Sequence, residues 1–144
     1  MQTIINALTY NGSYLDTTIN AVVLILLVAA LLRHRGSRWW IALVVLAALQ
    51  VVLWFAAGVV GISLVWAGLA GAAVVIYRRA TRRRWLLAVA VLVALIAIVY
   101  YAVTFPPIST VAHLLALALG VGIQALAQRR GRVTPEPAPA GRAS

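Results

Sequence analysis

The chain has 144 residues, 65% of them hydrophobic and 10% charged, with twelve basic and two acidic side chains and a net charge of +10. No water-soluble core of this length hides so much apolar surface, so the composition excludes a soluble domain and makes a bilayer the natural solvent. The absence of cysteine closes disulfide and thiolate chemistry. With Asp16 and Glu136 as the sole acids, neither a carboxylate cage for a metal nor a glycosidase pair can be built, so no metal or cofactor is expected.

Residues 1–13 are polar to mixed and carry no Lys or Arg, which makes them a poor secretory signal. They read as an outer N-terminal segment, an interfacial helix or a loop. A first span is expected over 14–32. Its cleanly apolar part, Ala21 to Leu32, is too short to cross a membrane alone. Asp16, Thr17, Thr18 and Asn20 must then reach the outer leaflet, facing protein or water. Asp16 and Asn20 are four apart and share a helix face.

Arg33 to Arg38 forms a basic loop in which His34 is solvated, and Trp39 and Trp40 mark an interface. From Trp39 to Tyr77 there is no charge. One helix of that length would reach roughly 58 Å, about twice the hydrocarbon thickness. The stretch is therefore two spans, 39–57 and 61–77, turning at Gly58 to Gly61. Gln50, mid-span, is read as an interhelical hydrogen bond, with a transport role as the alternative. The strongest basic cluster follows, with Arg78, Arg79, Arg82, Arg83 and Arg84. A fourth span covers 85–103, ending in the aromatic belt of Tyr100 and Tyr101. Thr104 to Pro107 breaks the chain, and a fifth span covers 108–126. The membrane domain is 14–128, and 129–144 is a basic, proline-rich tail expected to be disordered.

All twelve arginines fall between or after alternate spans. That is the positive-inside pattern, placing the amino terminus outside and the carboxyl terminus in the cytoplasm. Loop-end charges of this kind set topology and do not form a nucleic-acid groove, so no nucleic acid is expected as a partner. The fold class is all-α, a five-span membrane bundle. Its expected location is a plasma (inner) membrane, and an arginine-rich, lysine-free composition is in keeping with a bacterium.

Two polar residues stand out in this apolar chain. Ser63 opens the third span, and His113 lies fifty residues on, near the outer end of the fifth. Ser63, Ala67, Ala70 and Gly71 cluster on one side of a helix, and His113, Ala116, Gly120 and Gln124 form one stripe. Small residues allow close helix approach, so the two stripes can pack and bring hydroxyl and imidazole together. A serine hydroxyl is a weak nucleophile that a neutral imidazole can activate. The resulting oxyanion needs fixed donors, and Asn20 could supply an amide. The alternative is a serine that packs as a small residue or bonds its own backbone.

At these residues the chain resembles the rhomboid intramembrane serine proteases. The matching positions are Gly61, Ser63, Gly68, Leu69, Gly71 and Ala72, then His113, Ala116 and Gly120, with Asn20 matching an earlier asparagine. The resemblance implies Ser63 as nucleophile, His113 as general base and acid, and the Ser63 N–H with Asn20 as oxyanion donors. It implies a rhomboid-like bundle, cleavage of other proteins' membrane-spanning segments near the outer face, and water arriving past Asn11, Ser13 and Thr17. Asp16, Gly61 and Trp66 would support the site, while Gly68, Gly71, Ala116 and Gly120 would pack the helices. The chain departs from the family at four points. The family's first span is absent, Asp16 replaces a histidine, Leu64 replaces the glycine after the serine, and Ala67 stands where an aromatic packs on the histidine. Trp66 is one position away from that aromatic. A non-catalytic rhomboid-like binding protein, or a small accessory subunit, is the alternative function. Either way the partners are transmembrane helices and the lipid bilayer.

Overall fold

A computed structural model describes residues 14–34, 37–57, 62–80 and 84–130. Five helices make up the fold: α1 (Tyr14–Leu32), α2 (Trp39–Ala57), α3 (Ser63–Tyr77), α4 (Arg84–Thr104) and α5 (Pro107–Arg130). No strand occurs among the described residues. The N-terminal segment, the expected Gly58 to Gly61 turn, Asn11, Ser13 and the tail from residue 131 lie outside the described residues. Arg129 and Arg130, assigned from sequence to the tail, belong to the last turn of α5.

Three helices, α1, α4 and α5, are long and apolar enough to cross a membrane. The apolar stretch of α2, Trp39–Leu53, and α3 are shorter. Large apolar side chains point outward, Phe55 being 80% exposed, Val103 84% and Ile108 77%. Helices apolar on every side suit burial in lipid rather than water. Every residue of α3 from Val65 to Ala73 is buried, so this helix is wrapped by the others.

Local chemistry sets the helix limits. Pro107 occupies the first position of α5, where a missing N–H is harmless and the fixed φ suits a helix. α4 closes just before it, with Phe105 N–H donating to the Tyr101 carbonyl at 3.0 Å. α3 starts at Ser63 without a side-chain cap.

Small residues determine the centre. A Cβ on Gly120 would overlap the Gly68 carbonyl oxygen and stand 2.6 Å from its carbon. A Cβ on Gly71 would overlap the Leu117 carbonyl oxygen and stand 3.0 Å from the Val121 nitrogen. The two backbones thus touch directly, as small-residue helix contacts permit. Gly68 meets Ala116 and Gly120 while Gly71 meets Leu117 and Val121, so residue numbers rise together and α3 and α5 run parallel.

The remaining contacts fix the other directions. Asn20 at the start of α1 meets Trp66 at the start of α3, whereas Asp16 meets Tyr100 at the end of α4. Ser37, just before α2, is bonded by Gln124 near the end of α5. Successive helices therefore alternate in direction. Among the described residues, Arg33, Arg38, Arg78, Arg79, Arg84 and Arg129 consequently gather at one end, and all are exposed. Ser63, Asn20 and His113 lie toward the other end.

Candidate functional site

The α3–α5 contact places Ser63 and His113 by simple arithmetic. Ser63 is five residues before Gly68 and His113 is seven before Gly120, on parallel helices in contact at those glycines. At 1.5 Å per residue the two lie roughly 7.5 and 10.5 Å beyond the contact, about 3 Å apart in depth. His113 is 3% exposed, and Ser63, in the first turn of α3, is half-buried.

The imidazole has a defined tautomer. His113 Nδ1 lies 2.6 Å from the Ser109 carbonyl oxygen one turn earlier. A carbonyl can only accept, so Nδ1 carries the proton and donates. In the neutral ring Nε2 is then a bare lone pair, buried and without a hydrogen-bond partner among the described residues. Leaving such an atom unmatched in an apolar bundle is unfavourable by about 1–3 kcal/mol.

Aromatic rings hold the imidazole in place. Trp66 packs on one side at 5.6 Å between centroids and 39° between planes, and Tyr101 on another at 5.0 Å and 31°. Tyr101 in turn stacks on Phe105 at 5.0 Å and 22°. Although Trp66 is one position before Ala67, where the resemblance implies an aromatic, it lies against His113. Positions three and four after Ser63 flank the same helix face, and indole has the reach to cover the ring from the nearer of them.

Trp66 is fully buried and needs a partner for its N–H. It donates from Nε1 to Asn20 Oδ1 at 2.7 Å, tying α1 to α3. The amide oxygen of Asn20 is thereby engaged, and its NH₂ is the donor end, within hydrogen-bond reach of the Tyr101 hydroxyl. Asp16, 7% exposed, accepts from the Tyr100 hydroxyl at 3.2 Å. It joins α1 to α4.

Apart from Ser63 and Asp16, the site residues expected from sequence fall into three sets. Asn20, Trp66 and His113 form one continuous cluster. Gly68, Gly71, Ala116 and Gly120 form the seam beneath it. Gly61 lies outside the described residues. Among the described residues no hydrogen bond joins Ser63 to His113, whose polar contact is with Ser109. Gln50 lines a cleft of about 200 Å³ with Leu46, Leu53, Leu64 and Leu115, beside the seam.

Tyr101, expected from sequence as part of an interfacial belt, is instead a buried wall of the cluster. Ala90, Ala94 and Ala97 precede it at helical spacing, and all four are buried. A stripe of alanines ending in tyrosine was the available signal. Gln124, visible in sequence only as a member of the His113 stripe, is fully buried and donates to the Ser37 carbonyl. Three or more grouped metal-ligating side chains do not occur among the described residues.

No family model matches this chain, and no curated protein or solved structure matches it.

Proposed function

We propose that the protein is a rhomboid-like intramembrane serine protease of five spans, amino terminus outside, acting near the outer face of a plasma membrane on the transmembrane segments of other proteins. One observation carries this reading. His113 has its Nδ1 proton committed to a carbonyl and its Nε2 lone pair buried and unmatched, on a helix locked by glycines beside the one that bears Ser63. A buried base in a defined tautomer is what serine activation requires. The clustering of the described arginines at the opposite end supports the orientation.

In this reading Ser63 Oγ attacks the scissile carbonyl carbon and its proton passes to His113 Nε2. The oxyanion would be met by the Ser63 N–H, in the first helical turn where no intrahelical acceptor exists, and by the Asn20 NH₂. His113 then returns the proton to the leaving amine. Water, activated by the same nitrogen, hydrolyses the acyl-enzyme and restores the serine. Hydroxyl and imidazole must close into hydrogen-bond contact when substrate binds, which apo sites commonly leave until then.

The second reading is a non-catalytic binding protein or accessory subunit that grips membrane helices. Its specific support is that His113 is walled by Trp66 and Tyr101 and carries no bond to Ser63 among the described residues. A fluorophosphonate serine probe separates the two. Proteolysis predicts labelling of detergent-purified protein that is lost in both Ser63→Ala and His113→Ala. A folded wild type that never labels, or labelling that survives Ser63→Ala, would overturn it.

A further inference from the structure

At the arginine-bearing end, a cleft of about 230 Å³ lies between the start of α2 and the end of α5. Its walls are Ile41 from α2 and Ile123, Leu126 and Ala127 from α5, with Arg38 at the edge. Arg38 is exposed, and no ion pair to it exists among the described residues. Their one acid, Asp16, is bonded to Tyr100 near the opposite end of the bundle. Arg129 follows Leu126 by three residues, one turn further along the same side of α5. Trp40, 57% exposed, stands two residues after Arg38, as an aromatic at an interface does.

We propose that this cleft binds one anionic phospholipid, with part of an acyl chain against Ile41, Ile123, Leu126 and Ala127 and the phosphate at Arg38. The shape decides against a protein helix, because a cylinder of roughly 10 Å diameter does not enter a space this small. An apolar wall decides against a free anion, since one exposed arginine in water holds phosphate weakly. A lipid satisfies both parts at once, burying methylenes while its charge meets a cation at interfacial depth. The surplus of arginines at this end, with no acid beside them in the described residues, selects an anionic headgroup over a zwitterionic one.

Lipid binding at this end is independent of catalysis at the other, and its test is separate. Wild-type protein in neutral detergent would be offered equimolar phosphatidylglycerol and phosphatidylcholine of matched chains, and the retained lipid read by native mass spectrometry. The expected result is several-fold preference for phosphatidylglycerol. Arg38 has φ 53°, in the left-handed region, so Arg38→Asn is the suitable charge removal, asparagine tolerating that backbone well. It should bring the preference close to one. Leu126→Gln, at an exposed position, should lower retention of both lipids. Equal retention by the wild type would overturn the proposal. So would a preference that survives Arg38→Asn but vanishes in Arg78→Gln/Arg79→Gln, which marks a diffuse basic face. Equal binding of tailless glycerophosphoglycerol would also overturn it, in favour of a free-anion site.

Discussion

The α3–α5 seam and the polar cluster above it are held together by opposite means. The seam works because side chains are missing: Gly68, Gly71 and Gly120 let two backbones touch, and a backbone cannot rotate aside. The cluster works because side chains are present and specific. Asn20, Trp66, Tyr101 and His113 come from four helices and meet through the Trp66–Asn20 hydrogen bond, the Asn20–Tyr101 polar contact and three ring contacts. Steric exclusion is absolute within a few tenths of an ångström, whereas a hydrogen bond in a membrane protein is worth little on its own. The seam should therefore decide whether the bundle forms, and the cluster how the imidazole is posed within it.

Substitution in the seam should give the largest effects. Gly120→Leu and Gly71→Leu force atoms into backbone, which cannot yield, so destabilisation should exceed the usual overpacking range of about 1–3 kcal/mol. Neither variant should purify as a monodisperse species. Gly122, two residues away on α5, has open space where a side chain would start, with nothing within 4 Å, and Gly122→Leu should purify normally. Equal behaviour of Gly120→Leu and Gly122→Leu would remove the distinction between seam and surface. Gly68→Ala is the intermediate case. Its nearest side-chain obstacle is the Leu46 methyl pair, which can move, but the Ala116 carbonyl oxygen at 3.1 Å cannot. A loss of about 1 kcal/mol, at the low end of overpacking, is expected in a denaturant titration.

Within the cluster the largest loss should come from Trp66→Ala, about 3–5 kcal/mol for emptying a fully buried indole site. Trp66→Phe keeps a ring against His113 but strands the Asn20 oxygen, and about 1–3 kcal/mol should go with it. If the ring poses the imidazole, Trp66→Phe should retain probe labelling at Ser63 and Trp66→Ala should lose it even when folded. Similar labelling of both would mean that Trp66 supports the fold and not the pose of His113.

The all-helical class was legible in the apolar runs and in where arginines interrupt them. So was the seam, because glycines and alanines at helical spacing carry their own geometric meaning. The cluster was only half legible. His113 and Asn20 stood out because polar groups are rare in these spans. Their partners did not, since a tryptophan or tyrosine near a span end serves equally as an interfacial anchor or a buried donor. Asp16 shows the limit most clearly. Its helix face was readable from its spacing to Asn20, but its partner Tyr100 lies 84 residues away, and no local pattern pairs them. Which helix stands beside α1 is a property of the packed bundle.

That Asp16–Tyr100 bond gives the smallest expected effect and the finest test of how seam and cluster differ. At 3.2 Å it is long for an O–H donor facing a carboxylate, whose strong contacts are shorter. Asp16 has further interactions besides, so the loss of one donor does not leave it stranded. Membrane hydrogen bonds average about 0.6 kcal/mol, and Tyr100→Phe should fall near that value. Asp16→Ala removes both the acceptor and its other contacts, so its effect should be larger. Because this bond joins α1 to α4 and includes neither Ser63 nor His113, Tyr100→Phe should leave serine labelling unchanged. A loss of labelling without a loss of stability would show that the α1–α4 contact is coupled to the imidazole through Tyr101, which packs edge-on against Tyr100 at 5.6 Å and faces His113. The cluster would then behave as a single unit, and its boundary would lie between α4 and the seam.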